Sequence, residues 1–306
     1  MATARQTIET PVAGDGYGSP ERSEWLDFDW HAAQRQVQVD GRMVNLVEVG
    51  EGSPILFVHG LSGRWANWLE NILPFARDHR VIAMDLPGFG ESEMPAGDIT
   101  ISGYGSFLDS LCDELGIDRA ALVGNSMGGF IGAELAIRYP HRVHRLVLVS
   151  AAGISIENWR NEPALTALRR TEAVGVWMAS QLARRSDDFS RRPGLRTLLL
   201  GGIIRHPTRL SPNMAFELLQ GSGTPGFVPA LDALTDYPIR ERLPEIACPT
   251  LILWGDRDFL VPTRDAHEFE RLIPDSRKEI WERTGHLPMV ERPARFNRTV
   301  AEFLAE

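Results

Sequence analysis

The chain has 306 residues, of which 43% are hydrophobic and 24% charged, enough to bury the core of one large α/β domain or of one domain with an insertion. Its formal net charge of -9 argues against nucleic acid or a membrane as a partner and favours a small neutral molecule. Its two cysteines, Cys112 and Cys248, form no disulfide or metal-ligand pattern. Because the sequence shows no secretory signal and no run apolar enough to span a bilayer, we expect a cytoplasmic protein.

The N-terminal half alternates between strand and helix patterns. Residues 1–24 lack periodicity and are predicted to form a loosely ordered extension, and residues 35–49 have the alternation of an antiparallel hairpin around Asp40-Gly41. Short apolar runs, typical of strands buried on both faces, follow at residues 55–58, 81–84, 121–123, 146–149 and 251–253. Helical patterns lie between them at residues 68–77, 104–115 and 127–139. This order predicts an α/β fold with a mostly parallel, doubly wound sheet of about eight strands.

The alternation stops between residues 155 and 237, where helix-prone segments at 162–170 and 214–220 are separated by Gly and Pro. We interpret residues 155–237 as a helical cap inserted into a core made of residues 25–154 and 238–306. A last strand is predicted at residues 278–281 and a closing amphipathic helix at 294–304.

The strongest chemical signal is GNSMGG, residues 124–129, which follows an apolar strand and opens a helix. In this GxSxG context the serine lies on a sharp strand-to-helix turn, which makes Ser126 a candidate nucleophile rather than an ordinary helix-capping serine. The backbone N–H of Met127, at the start of the helix, is a candidate donor to an oxyanion.

The dipeptide His59-Gly60 directly follows the strand at residues 55–58. In this architecture the loop at that position supplies the second oxyanion donor, for which Leu61 is our candidate. For His59 a structural role in bracing the turn is favoured over a catalytic one.

An acid and a base are predicted from two later loops. WGDRDFLVP, residues 254–262, offers Asp256 and Asp258 at the carboxyl end of a strand, and from the residues alone either could pair with a histidine or support the turn. TGHLPMVERP, residues 284–293, places His286 between the last strand and the closing helix. Among the eight histidines His286 completes the chain order Ser, Asp, His.

Together HG, DLPGFGES at residues 85–92, GNSMGG, GDRD and GHLPMVERP resemble the α/β-hydrolase superfamily from about residue 35 onward. The resemblance implies that Asp258 is the acid, that Asp256 supports the turn, and that DLPGFGES is structural. It also implies hydrolysis through an acyl-enzyme: Ser126 attacks, His286 transfers protons, Asp258 orients the imidazole, and no metal or organic cofactor takes part.

Three functions remain open at this stage. A serine carboxylesterase acting on small esters is ranked first. A carbon–carbon bond hydrolase of aromatic meta-cleavage products is the main alternative, because those enzymes share the GNSMGG form that contains Asn125. Against it, this chain has LSGRWANW where they usually have a Gly-rich loop, and Leu287 where they usually have an aromatic residue. A non-catalytic small-molecule receptor on the same fold is the third hypothesis.

The substrate pocket is expected between the sheet and the cap. Candidate substrate-binding residues are Trp65, Trp68, Asn125, Phe259 and Leu287. Each of the aromatic residues could instead belong to the core.

Overall fold

The computed structural model describes residues 16–18, 22–155, 180, 181 and 183–306. These residues form one eight-stranded sheet in the order β1-β2-β4-β3-β5-β6-β7-β8. The first two pairings, β1 with β2 and β2 with β4, are antiparallel, and all others are parallel. The strands are β1 Gln34–Val39, β2 Arg42–Val49, β3 Ser53–Val58, β4 His79–Met84, β5 Ala120–Asn125, β6 Val143–Val149, β7 Thr250–Gly255 and β8 Ser276–Trp281.

The predicted hairpin and parallel strands are confirmed, each within three residues of its expected ends. In the hairpin turn Asp40 and Gly41 have φ of 48° and 76°. A two-residue turn with both φ values positive matches the right-handed twist of the strands that it joins.

Helices cover both faces of the sheet, as a doubly wound fold requires. In chain order they are α1 Trp30–Ala33, α2 Leu69–Phe75, α3 Ile101–Glu114, α4 Met127–Arg138, α5 Ser186–Ser190, α6 Pro193–Leu200, α7 Pro212–Gln220, α8 Phe227–Asp236, α9 Arg264–Leu272, α10 Pro288–Glu291 and α11 Pro293–Ala305. Within the described residues no helix is long and apolar enough to cross a membrane.

The core lies in two layers because successive strand residues point to opposite faces of the sheet. In β3, Leu56 and Val58 belong to one apolar cluster, and Ile55 and Phe57 to the other. All four side chains are at most 1% exposed, so the continuous apolar run is explained by burial on both sides.

The described part of the proposed cap, from residue 180 to residue 237, contains helices α5 to α8 and no strand. The helix predicted at residues 162–170 lies outside the described residues, and the helix predicted at 214–220 is α7. Most of the predicted N-terminal extension also lies outside them. Of its described residues, Tyr17 is buried at 8% exposure.

Candidate active site

Ser126 lies on the turn between β5 and α4, with φ of 55° and ψ of -119°. Positive φ is uncommon outside glycine, and the glycines on either side explain how this turn is accommodated. A Cβ atom on Gly124 would lie 2.3 Å from the carbonyl oxygen of Gly128, and one on Gly128 would lie 2.1 Å from that of Val58. Only glycine therefore allows the strand and the helix to approach so closely.

The loop after β3 lies directly against this turn. A Cβ atom on Gly60 would be 2.9 Å from Cβ of Ser126. Leu61 follows Gly60, and Met127 follows Ser126, so one backbone N–H group on each side is available near the serine. Among the residues that the structure describes, neither N–H group has an acceptor in the chain, which suits donors reserved for a ligand oxygen.

Asp258 and His286 contact each other across the loops that follow β7 and β8. The imidazole Nδ1 lies 2.8 Å from Oδ2 of Asp258, and both side chains are buried. The other carboxylate oxygen accepts the backbone N–H groups of Leu260 and Val261, each at 2.9 Å. Because this carboxylate accepts a hydrogen bond from Nδ1–H, the ring is left with Nε2 for a proton transfer.

Asp256 does not contact His286. Its carboxylate accepts the backbone N–H of Thr284 at 3.3 Å and lies 3.5 Å from the guanidinium of Arg257. It therefore links the two loops, in agreement with the role of turn support expected for it.

Asn125 joins two parts of the site. One is the turn between β5 and α4 that carries Ser126, here called the serine turn, and the other is the loop after β8 that carries His286, the histidine loop. The side-chain amide of Asn125 donates hydrogen bonds to the carbonyl oxygens of Val149, at 3.1 Å, and His286, at 3.2 Å. The hydroxyl of Ser126 makes no hydrogen bond to any described residue. Contacts between nucleophile and base are often long in unliganded hydrolases and tighten when substrate binds.

The predicted substrate-binding residues separate into three groups. Asn125 and Leu287 lie beside Ser126 and His286, although the amide hydrogens of Asn125 are already engaged. Phe259 is 70% exposed and faces solvent rather than a buried pocket.

The two tryptophans belong to the core. Trp68 is fully buried, with its ring centroid 4.8 Å from that of Phe57 and 6.2 Å from that of Phe296. Trp65 is 7% exposed and packs against Trp30 with centroids 5.3 Å apart. A tryptophan looks the same in the sequence whether it lies in a core or lines a pocket, so the sequence could not separate these placements.

His59 and Asp85 brace the loops beneath the site. The His59 ring contacts the carbonyl oxygen of Gly60 at 2.7 Å through Nδ1 and accepts the backbone N–H of Leu86 at 2.9 Å through Nε2. Complete burial lowers the pKa of His59, so the ring is neutral. Asp85 is buried and accepts the backbone N–H of Trp65 at 2.8 Å. The structural roles expected for His59 and for DLPGFGES are found here.

Residues of the proposed cap contact the same loops. A Cβ atom on Gly221 would lie 2.0 Å from the carbonyl oxygen of Ser62, and the N–H of Gly226 donates to the carbonyl oxygen of Gly88 at 2.9 Å. Arg64 forms an ion pair with Glu217 of α7. The loop that carries Leu61 thus contacts the proposed cap, and the hydrogen bonds of His59 brace it from inside the protein.

Sequence analysis missed one residue of this neighbourhood, Glu291, which lies in the quoted motif GHLPMVERP but was given no role. Its fully buried carboxylate accepts the backbone N–H groups of Gly285 and Leu287, on either side of His286. The signal that could have found it is its position on the short helix that begins two residues after the histidine.

The two cysteine thiols are held inert by burial. The thiols of Cys112 and Cys248 are unpaired and buried, and burial raises the pKa of each to about 11. The described residues contain no group of three His, Cys, Asp or Glu side chains placed to hold a metal ion.

Fold and site together define a hydrolase with its reactive groups at the carboxyl edge of a parallel sheet. The family described as alpha/beta hydrolase fold matches residues 53–293, and the chain belongs to it. The 2-hydroxy-6-oxo-2,4-heptadienoate hydrolase of Pseudomonas putida is 33% identical over 287 residues, which cover 89% of this chain and 96% of that protein.

Two solved structures show the same likeness. A meta-cleavage product hydrolase from Pseudomonas fluorescens IP01 has a TM-score of 0.68 and 26% identity, covering 89% of this chain and 97% of its own. A thermophilic esterase from Thermogutta terrifontis has a TM-score of 0.69 and 25% identity, covering 89% and 98%.

Proposed function

We propose that this protein is a carbon–carbon bond hydrolase acting on a 2-hydroxy-6-oxo-dienoate, with Ser126, His286 and Asp258 as its catalytic triad. The observation that carries the proposal is the 33% identity, over nearly the whole length of both chains, to a hydrolase named for such a substrate. This reverses the ranking drawn from the motifs, which placed the carboxylesterase first. Under this proposal the substrate carries a carboxylate, so the expectation of a neutral substrate also gives way.

The geometry suits this chemistry. His286, oriented by Asp258 at 2.8 Å, accepts the proton of Ser126 at Nε2 while the serine oxygen attacks the ketone carbon. The N–H groups of Leu61 and Met127 hold the resulting oxyanion. Collapse of the tetrahedral intermediate breaks the bond to the adjacent chain carbon, and His286 gives the proton that it took from Ser126 to the departing fragment, which leaves the imidazole neutral again. Water activated by His286 then hydrolyses the acyl-serine to a carboxylic acid.

A carbon leaving group needs more help than an alkoxide, because its electron pair must be delocalised. In the keto form of a 2-hydroxy-6-oxo-dienoate the pair spreads through the neighbouring double bond into the carbonyl at C2. The substrate itself therefore supplies the stabilisation, and the protein must promote the keto form and position it.

The direct test is incubation with 2-hydroxy-6-oxohepta-2,4-dienoate. We expect the absorbance of the dienol to disappear, with release of one acetate per molecule consumed, and we expect Ser126→Ala to abolish acetate release while leaving the protein folded. Intact substrate after prolonged incubation with active wild-type protein would contradict the proposal.

Hydrolysis of small carboxylic esters is the second candidate, favoured by the esterase structure at a TM-score of 0.69 and by Leu287 in place of an aromatic residue. Turnover of p-nitrophenyl acetate, measured beside the dienoate, separates the two functions. The larger kcat/KM identifies the preferred bond, and a ratio of 100 or more in favour of the ester, about 3 kcal/mol in transition-state stabilisation, would reverse our ranking.

A further inference from the structure

Glu291 lies at the end of α10, five residues after His286, and its carboxylate is inaccessible to solvent. Oε1 accepts the backbone N–H groups of Gly285, at 2.9 Å, and Leu287, at 3.4 Å. These two residues flank the histidine. Glu291 therefore holds the main chain on both sides of the imidazole, although it touches neither Ser126 nor the ring.

The second carboxylate oxygen binds two distant parts of the chain. Oε2 accepts the hydroxyl of Tyr17 at 2.6 Å and the backbone N–H of Arg205 at 2.9 Å. A carboxylate has about four acceptor positions, and here all are used. One buried group thus joins the histidine loop, the cap and the N-terminal segment.

Tyr17 is firmly seated in this arrangement. Its hydroxyl accepts the N–H of His206 at 2.9 Å, and its ring meets the His206 ring edge-on at 5.1 Å between centroids. The guanidinium groups of Arg209 and Arg292 lie 4.6 Å and 5.5 Å from the centre of the ring. The neighbouring Gly18 also donates its N–H to the main-chain carbonyl of Glu291 at 2.7 Å.

The histidine loop has a further anchor beside this one. The N–H of His286 donates to the carbonyl oxygen of Ile203 at 2.8 Å, two residues before Arg205. The turn at residues 203–206 is therefore tied to His286 directly and to Glu291 through Arg205. Loss of the Tyr17 hydroxyl would leave Oε2 with one donor in a space closed to water, and the carboxylate would have to reorient.

We propose that Glu291 is a positioning residue for His286, and that Tyr17, from the N-terminal segment, fixes the orientation of the Glu291 carboxylate and so the placement of the imidazole. This rests on the proposed function in that His286 is taken as the base. It gives the N-terminal segment a part in catalysis.

The test is the rate at which a fluorophosphonate labels Ser126, because labelling requires an activated serine whatever bond the enzyme cleaves. Tyr17→Phe is compared with Tyr104→Phe, a matched control: Tyr104 is also buried, and its hydroxyl donates to the carbonyl oxygen of Pro87 at 2.9 Å. We expect Ser126 to be labelled about tenfold more slowly in Tyr17→Phe than in the wild type. This loss is smaller than the 100-fold loss that a displacement of about 1 Å causes. In Tyr104→Phe we expect Ser126 to be labelled at nearly the wild-type rate.

The loss is expected in the maximal rate of inactivation and not in the reversible binding of the reagent, since Tyr17 does not line the site. Equal rates for the two variants, or a loss confined to binding, would overturn the inference. If wild-type protein itself is not labelled, the proposed function fails instead.

Glu291→Gln gives a second readout that does not depend on how Tyr17→Phe folds. Its amide nitrogen cannot accept the Arg205 N–H, so the side chain cannot satisfy all four partners. We expect labelling to slow by about 100-fold, and a wild-type labelling rate in this variant would contradict the inference.

Discussion

The side-chain amide of Asn125 donates a hydrogen bond of 3.2 Å to the main-chain carbonyl of His286. The residue that precedes the proposed nucleophile thus holds the loop that carries the proposed base. Its second hydrogen bond, to the carbonyl of Val149 at 3.1 Å, anchors the amide to the neighbouring strand. Asn125 therefore fixes the main chain at His286.

Asn125→Ala should lower both stability and kcat. The buried carbonyl oxygen of His286 loses this donor, at a cost of about 1–3 kcal/mol, whereas that of Val149 keeps the backbone N–H of Ser126 at 2.9 Å. The freed histidine loop should reduce kcat by about tenfold or more. Urea unfolding and steady-state kinetics measure the two effects. Asn71→Ala is the control, because Asn71 is also buried and donates to Met289 and Asn297 without touching the serine turn. A comparable loss of kcat in both variants would remove the special role of Asn125.

The two aspartates of the GDRD motif should differ sharply. Asp258→Asn should reduce kcat by about 10⁴-fold, because an amide opposite Nδ1 favours the wrong tautomer of His286. Asp256→Asn retains an oxygen to accept the Thr284 N–H and should leave kcat nearly unchanged. The kcat values of both variants are measured in the same assay. Similar losses of kcat in the two variants would mean that the role of Asp256 has been misassigned.

Most of the fold could be predicted from sequence because its signals are local. Continuous apolar runs mark strands such as β3 and β7, and Asp40-Gly41 marks the hairpin turn. That an aspartate of the GDRD motif would meet His286 was expected for a related reason, since both follow parallel strands whose carboxyl ends share one edge. The choice of Asp258 over Asp256 came from the resemblance to the α/β-hydrolase superfamily.

Other features depend on contacts that no local pattern encodes. The sequence left Trp68 open between the pocket and the core, and it lies in the core. Phe259, another candidate for the pocket, is 70% exposed. Tyr17 and Glu291 are separated by 274 positions, so only the folded chain reveals their hydrogen bond.

Gly60→Ala should damage the oxyanion loop. The added methyl group would lie 2.9 Å from Cβ of Ser126 and 3.2 Å from the carbonyl oxygen of Asn125, so the loop must move away from the serine. Displacing the Leu61 N–H should cost about 10²–10³ in kcat, the usual effect of losing one oxyanion donor. Gly97→Ala is the control, because its Cβ would meet no atom within 4 Å. Wild-type kcat in Gly60→Ala would exclude this loop from catalysis.

Glu291 should also make stability depend on pH. Burial raises the pKa of its carboxyl to about 6, from an ordinary value of 4.5. Between these values the folded chain binds more protons than the unfolded chain, so the contribution is fully present below pH 4.5 and is lost as pH rises through 6. The loss amounts to about 2 kcal/mol in the free energy of unfolding. Glu291→Gln cannot titrate at this position. The difference in unfolding free energy between wild type and this variant should therefore change by that amount over this pH interval. A pH-independent difference for Glu291→Gln would mean that the buried carboxyl keeps its ordinary pKa.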